Sequence, residues 1–383
     1  RHARYYVEHF EALGPKINRG TEAGALGLAR PDDENVRVAV RWAVEAGDGE
    51  LGQRGTAAAM SFWRATENVQ TVLPLVDAAL EVSTSPSRVR SELLFVAAPV
   101  YALARGSAAW RDRVAELQTD ADALGDPEIL ALAALRRADV AMVAGVEPDG
   151  VAELYATALE ALGNVGSHHA MSALHNMAWY QYWLWDRWEE AAATGEEWLR
   201  LARAHGWRKD AAFAEAFDGW LALAAGDLDR LERRSAAAAD TFRDLGDHRL
   251  AALQMLQLAL GSLQRGDTAE ALNRAEVAVL ACSESGSLHW IVNALLIRAT
   301  TKLAAGVEQG AADDLLSAAD AVEQSDDPSS VAALAAVAGR VLSHGDPEAA
   351  AALLGRSEGL GHDHPLHGVI QRLLVPMVDK LFG

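Results

Sequence analysis

Three groups of side chains in this sequence could do chemistry. The first is AWYQYWLWDRWEEA, residues 178 to 191, where Trp179, Trp183, Trp185 and Trp188 stand within ten residues of one another, together with Tyr180 and Tyr182. Flat rings at that density can stack on a sugar face or hold an apolar side chain of a peptide, and tryptophan is favoured at binding hot spots. The second is GHDHPLH, which sets His362, His364 and His367 beside Asp363. Neutral imidazoles and a carboxylate suit transition metals, but the spacing follows no zinc signature, and Pro365 with nearby glycines reads as a solvated loop, so no metal site is assigned. The third is the single cysteine, Cys282 in VAVLACSES, which reads as a small apolar core residue at a helix end. His168 and His169, just after Gly166, read as solvent-facing turn residues.

Other chemistries lack their residues. A phosphate loop needs G-x-x-x-x-G-K-[ST], and none of Lys16, Lys209, Lys302 and Lys380 sits in such a setting. There is no G-x-S-x-G elbow and no H-E-x-x-H helix, so a hydrolase would have to assemble its nucleophile and base from distant residues. A formal charge of −20, from 54 acidic against 34 basic residues, repels a phosphate backbone, and no basic patch or helix-turn-helix offsets it. Direct nucleic-acid binding is not expected. No apolar run reaches about 18 residues and no secretory signal opens the chain, so no membrane association is expected either. A lone cysteine fits a reducing cytoplasm.

The elements that must carry these residues are set by an internal repeat. Gly106, Gly145, Gly226, Gly266, Gly306 and Gly345, with Trp185 filling the gap, recur about every 40 residues after Ala- and Leu-rich stretches. A second ladder, Gly125, Gly163, Gly206, Gly246 and Gly286, continuing to Asp326, interleaves with it. Glycine supplies the left-handed residue that ends a helix, and the aspartate that follows Gly226, Gly266 and Gly345 can cap the next one. Alternating β-branched runs are absent and helix formers dominate. The predicted fold is all-α: a right-handed superhelical solenoid of about seven tetratricopeptide-like helical hairpins with a period of ~40 residues. Small residues seven before each turn (Ala138, Ala178, Gly219, Ala259, Ala299, Ala338) and five after it (Ala271, Ala311, Ala350) resemble the close-contact positions of tetratricopeptide helix pairs. Arg111 and Glu190 depart from that pattern.

The flanks carry a further resemblance. RHARYYVEHFEA, PDDENVRVAVRWAVEAGD and AAAMSFW in residues 1–63, and EAAAALLGRSEGL near the end, resemble the region that follows the nucleotide-binding and winged-helix modules of bacterial STAND signal-transduction ATPases, including large LuxR-type and AfsR-like regulators and cyclase-linked relatives. The resemblance implies a non-catalytic sensor and interaction region cut from a longer protein. ATP would belong only to the missing N-terminal module, and this part would hold no cofactor. Residues 1–88 would be a helical adaptor, 89–360 the superhelix and 361–383 a loop with a capping helix. With tetratricopeptide register, the first helices line a concave groove through Ser172, His175, Trp179, Tyr182 and Trp183, then Phe213, Ala216, Trp220, Leu223 and Ala224. The candidate binding residues are His175, Trp179, Tyr182, Trp183, Phe213 and Trp220, facing a small effector or a peptide or protein segment. Trp185, Trp188, Trp198 and Trp207 are assigned to packing. The rival reading makes the whole cluster filler between lengthened helices, because a register error of one residue turns every ring inward. A protein scaffold without a small-molecule ligand is the alternative function.

Overall fold

The computed structural model describes residues 1–342, apart from 23, 67–68, 145, 165–166, 184, 286–287 and 324–327. Gly145, Gly166, Gly286, Asp326 and Gly345, the His362–His367 cluster and the proposed C-terminal cap lie outside the described residues, as does the side chain of Trp183. The described residues form seventeen α-helices, one short 3-10 turn and no strand. The N-terminal part contains α1 (His2–Arg19), α2 (Ala25–Ala29), α3 (Asp33–Glu45), α4 (Gly49–Thr66) and α5 (Val69–Glu81). The repeats follow as α6 (Arg88–Leu124), α7 (Pro127–Val143), α8 (Pro148–Asn164), α9 (Ala170–Trp183), α10 (Trp188–Ala204), α11 (Arg208–Ala225) and α12 (Leu228–Asp244). They continue through α13 (His248–Arg265), α14 (Thr268–Ser285), α15 (Leu288–Ala304), α16 (Glu308–Glu323) and α17 (Pro328–Leu342).

The turns form for the reason the glycine ladders suggest. Gly125, Gly206, Gly226, Gly246, Gly266 and Gly306 all take positive φ, from 62° to 83°. Aspartates cap the helices that follow: Asp227 Oδ1 accepts from the Arg230 amide at 3.0 Å and Asp267 Oδ1 from the Glu270 amide at 3.1 Å. Gly163 differs, lying within the last turn of α8. At Trp185 the left-handed residue is instead Asp186, with φ 57°. The turn thus sits one residue further on, and the buried small residue sought at Glu190 is Ala191, which has no exposed surface.

Residues 88–124 are helical throughout, yet the segment doubles back. Arg90 Nη1 meets Asp120 Oδ2 at 2.7 Å across thirty residues, which a straight helix would hold about 45 Å apart. Ala98, Trp110 and Val114 also pack together. These pairs centre on the segment around Gly106, where the first ladder places a turn. Among the later hairpins, α7 pairs with α8, α13 with α14 and α15 with α16. Contacts between repeats recur at the expected separation: Asn176 to Asp139 across 37 residues, Tyr182 to Trp220 across 38 and Arg274 to Glu232 across 42.

Two compact units divide the chain. The first comprises Arg1–Met177, Glu197–Ala211 and Asp244–Asp247, and the second Ala178–Glu196, Ala212–Arg243 and His248–Gly383. In the first unit, α1, α3 and α4 pack together with Val7, Phe10, Phe62 and Trp63 fully buried. In the second, α15 packs on both α13 and α17. The small-residue positions are close-contact sites: Ala259, Ala271, Ala299 and Ala311 are buried, and a Cβ on Gly219 would stand 2.6 Å from Ser235 Oγ and 2.7 Å from Gln257 Oε1. Every residue of α13 from Leu250 to Ser262 is buried except Met255, which is half-buried. A first helix covered on all sides is not the open groove wall expected from the register.

Candidate functional site

The aromatic stretch divides between core and surface. In the second unit, Trp179 meets Phe217 edge-on at 4.9 Å between ring centres, and Tyr182 meets Phe217 at 5.9 Å and Trp188 at 4.9 Å. Gly195 on α10 admits this cluster, since a Cβ there would stand 2.9 Å from the Phe217 ring. Tyr182 is 2% exposed and its hydroxyl donates to the Trp220 carbonyl at 3.3 Å. It is a packing residue and not the polar groove contact expected, because the register turns it towards Phe217. Ala216 and Leu223, two further expected groove positions, are also buried. Trp179, Phe213 and Trp220 are half-buried, with Phe213 edge-on to Phe242 at 5.0 Å.

The exposed rings lie at the tip of the α9–α10 hairpin. Trp188, assigned to packing, is 36% exposed, and its indole N–H donates to Asp186 Oδ1. Trp185 is half-buried, 6.5 Å from Tyr180, with the Arg187 guanidinium 5.8 Å over its ring. The Arg187 amide closes the turn on the Gln181 carbonyl at 2.8 Å.

His175 belongs to the first unit, where it packs edge-on against the buried Trp198 at 4.9 Å. Burial, aided by the charge of Arg64, lowers its pKa to about 4, so the ring is neutral at pH 7. His168 and His169 are not solvent-facing. His169 packs on Phe95 at 4.7 Å, and burial, with His168 and Arg136 nearby, lowers its pKa to about 4. His168 Nε2 lies 2.8 Å from Asp210 Oδ2, and its ring meets Trp207 at 4.7 Å. Nothing in the local sequence marks these rings as covered, because Phe95 and Asp210 come from other repeats. Around them Arg136 bonds the Phe95 carbonyl at 3.1 Å and Asp139 at 2.8 Å, while Asn176 and the buried Tyr155 also hold Asp139.

This same unit ties the N-terminal helices to the repeat turns. Arg19 lies 5.9 Å over the Trp207 ring, which His205 stacks from 4.4 Å. Gly20, the left-handed cap of α1, comes so close that a Cβ would stand 2.7 Å from the Lys209 amide nitrogen and 2.8 Å from Leu245 Cδ1. Elsewhere in the unit an open groove of about 370 Å³ runs between α3 and α5, lined by Arg37, Arg41, Pro74 and Leu75. Cys282 is buried, and burial pushes its thiol up to about 12, as suits a core residue. Among the described residues no three His, Cys, Asp or Glu side chains are grouped to hold a metal, and no helix is long and apolar enough to cross a membrane.

No family model matches the chain, and no curated protein matches it. Solved structures do. The crystal structure of a Rap protein complexed with competence and sporulation factor matches 98% of this chain and 99% of its own, at 14% identity and a TM-score of 0.57. A STAND protein with a tetratricopeptide repeat sensor, PH0952 from Pyrococcus horikoshii, matches 91% of this chain at 14% identity and a TM-score of 0.55. This chain spans 54% of that protein's length. The fold is a tetratricopeptide-like helical repeat. At this identity the likeness extends to fold alone.

Proposed function

We propose that the chain is the partner-sensing region of a STAND-type regulator, acting without catalysis and without a cofactor of its own, on an ATPase module elsewhere in the intact protein. Its output would be transcriptional, as the LuxR-type and AfsR-like resemblance of residues 1–63 implies. The observation that carries the reading is the packing of the end of α1 on the turn at Trp207 and on Leu245 through Arg19 and Gly20. A rearrangement of those turns cannot leave α1 in place, so the adaptor is built to report on the repeats. A ligand moves such a system only by binding its two arrangements with different affinity. Tyr182 and Phe217 fill the space that a small effector would need between the first helices, which favours a peptide or protein segment reading the half-buried Trp179, Phe213 and Trp220.

The test is to titrate the whole chain with pooled peptides and pooled metabolites by tryptophan fluorescence, then follow hydrogen exchange in residues 13–22 for any binder. Binding of a peptide together with altered protection at the end of α1 is the expected result. Binding without any change in α1 would leave a passive scaffold, and silence to every pool would sink the sensor reading.

A further inference from the structure

Helices α12, α14 and α16 are the second helices of successive hairpins, and they keep one register. Leu231, Ala271 and Ala311 are all buried, as are Ala238, Ala278 and Ala318, and again Phe242, Cys282 and Val322. Where the buried positions coincide, the solvent positions do too: 233, 237, 240 and 243 on α12 recur as 273, 277, 280 and 283 on α14 and as 313, 317, 320 and 323 on α16, all exposed. In a stack of repeats such equivalent positions face the same way, apart from a small rotation per repeat.

What stands on that face changes along the stack. On α12 it carries Arg233, Ala237, Asp240 and Arg243, the mixed charges of an ordinary wet surface. On α14 it carries Val277 and Leu280, which are 48% and 64% exposed, and on α16 it carries Leu316, 66% exposed. Leu280 and Leu316 are the two most exposed large apolar side chains among the described residues. Both helices pack on α15, so the three side chains share one region of the second unit. A single exposed leucine needs no explanation, but apolar residues gathered on one face of neighbouring helices mark a surface that meets something.

The charge of the face says what it meets. Glu276, Asp313 and Glu323 are exposed beside the apolar residues. Helix α16 has no lysine or arginine, and the one arginine of α14, Arg274, is held by Glu232 and Glu270 at 2.7 Å each. On α15, Arg298 and Lys302 are held by the buried Asp314 at 2.7 and 2.9 Å. The bases of these three helices are thus engaged away from the exposed carboxylates. An acidic face of this kind repels a phosphate backbone and an anionic lipid surface, and it attracts a cationic segment. Val277 and Leu280 lie one helical turn apart, a spacing that the i, i+3 and i+4 anchors of a second helix repeat.

We propose that the common face of α14 and α16 docks a basic amphipathic helix of a partner protein, with its apolar stripe on Val277, Leu280 and Leu316 and its lysines or arginines against Glu276 and Asp313. This surface is separate from the ring positions of the sensor reading, and either can fail without the other.

The experiment measures fluorescence anisotropy with the whole chain and a fluorescein-labelled peptide, Leu-Lys-Ala-Leu-Leu-Lys-Lys-Leu-Ala-Lys-Leu-Leu-Lys. A second peptide of the same composition, reordered to break the apolar stripe, separates a docked helix from bulk attraction to an acidic chain. Saturable binding of the first peptide is expected, about ten-fold weaker in Leu280→Ser, Leu316→Ser and about three-fold weaker in Glu276→Gln, Asp313→Asn. All four changes are at exposed positions, and melting curves check that each variant is folded. Glu153→Gln, Glu160→Gln, an equal change of charge on the exposed side of α8, should leave binding as in the parent. No saturable binding, equal binding of the reordered peptide, full affinity in the leucine variant, or the same loss in the α8 variant would overturn the proposal. So would sedimentation showing that the parent self-associates and the leucine variant does not, which would make the face a contact between copies of this chain.

Discussion

Acidification should destabilise the first unit through two histidines in particular. His169 and His175 are held neutral, with pKa values of about 4, mainly by burial. In the unfolded chain each titrates near 6.5. Between those values the unfolded chain binds the extra proton, so stability is full above about pH 6.5 and is lost progressively as pH falls towards 4. With these two values, moving from pH 7 to pH 5 costs about 2 kcal/mol per histidine. The assay is urea unfolding at both pH values, followed by circular dichroism, in the parent and in His169→Gln and His175→Gln. Carboxylates contribute to the pH dependence of all three proteins, so the difference between parent and variant isolates the imidazole. Each variant should lose about 2 kcal/mol less than the parent between the two pH values. If either buried-histidine variant keeps the full pH dependence, that ring is solvated or already protonated in the folded chain, and the reasoning from burial is wrong for it.

Two further perturbations test the packing. Gly219→Ala puts a methyl group against Ser235 and Gln257 and should cost about 1–3 kcal/mol, whereas Gly163→Ala, in the last turn of α8 with open space around it, should gain about 0.5–1 kcal/mol; thermal melts decide both. Asp314 is 4% exposed and is held by Arg298 at 2.7 Å and Lys302 at 2.9 Å, so Arg298→Met should be tolerated while Lys302 remains, and the Arg298→Met, Lys302→Met double variant should cost about 3–5 kcal/mol in urea unfolding, more than the two single losses added.

What the sequence made legible is what local chemistry controls. A helix stop at Gly226 or Gly266 needs a left-handed residue and a capping aspartate in adjacent positions, and both are written there. The period and the helical class follow from repeating that local event. The facing of side chains does not follow, because it depends on what covers a helix. On α13, Leu250, Ala251, Ala252, Leu253 and Gln254 are all buried although five consecutive residues point in every direction around the axis. No periodicity can select an inner face when both faces are covered, so a groove register carried over from a family of thinner hairpins has nothing in the sequence to correct it. The aromatic stretch shows the consequence most directly. Its composition is equally suited to core and to recognition, and the packing around it decides between them, with Tyr182 inward on Phe217 and Trp188 exposed at the tip.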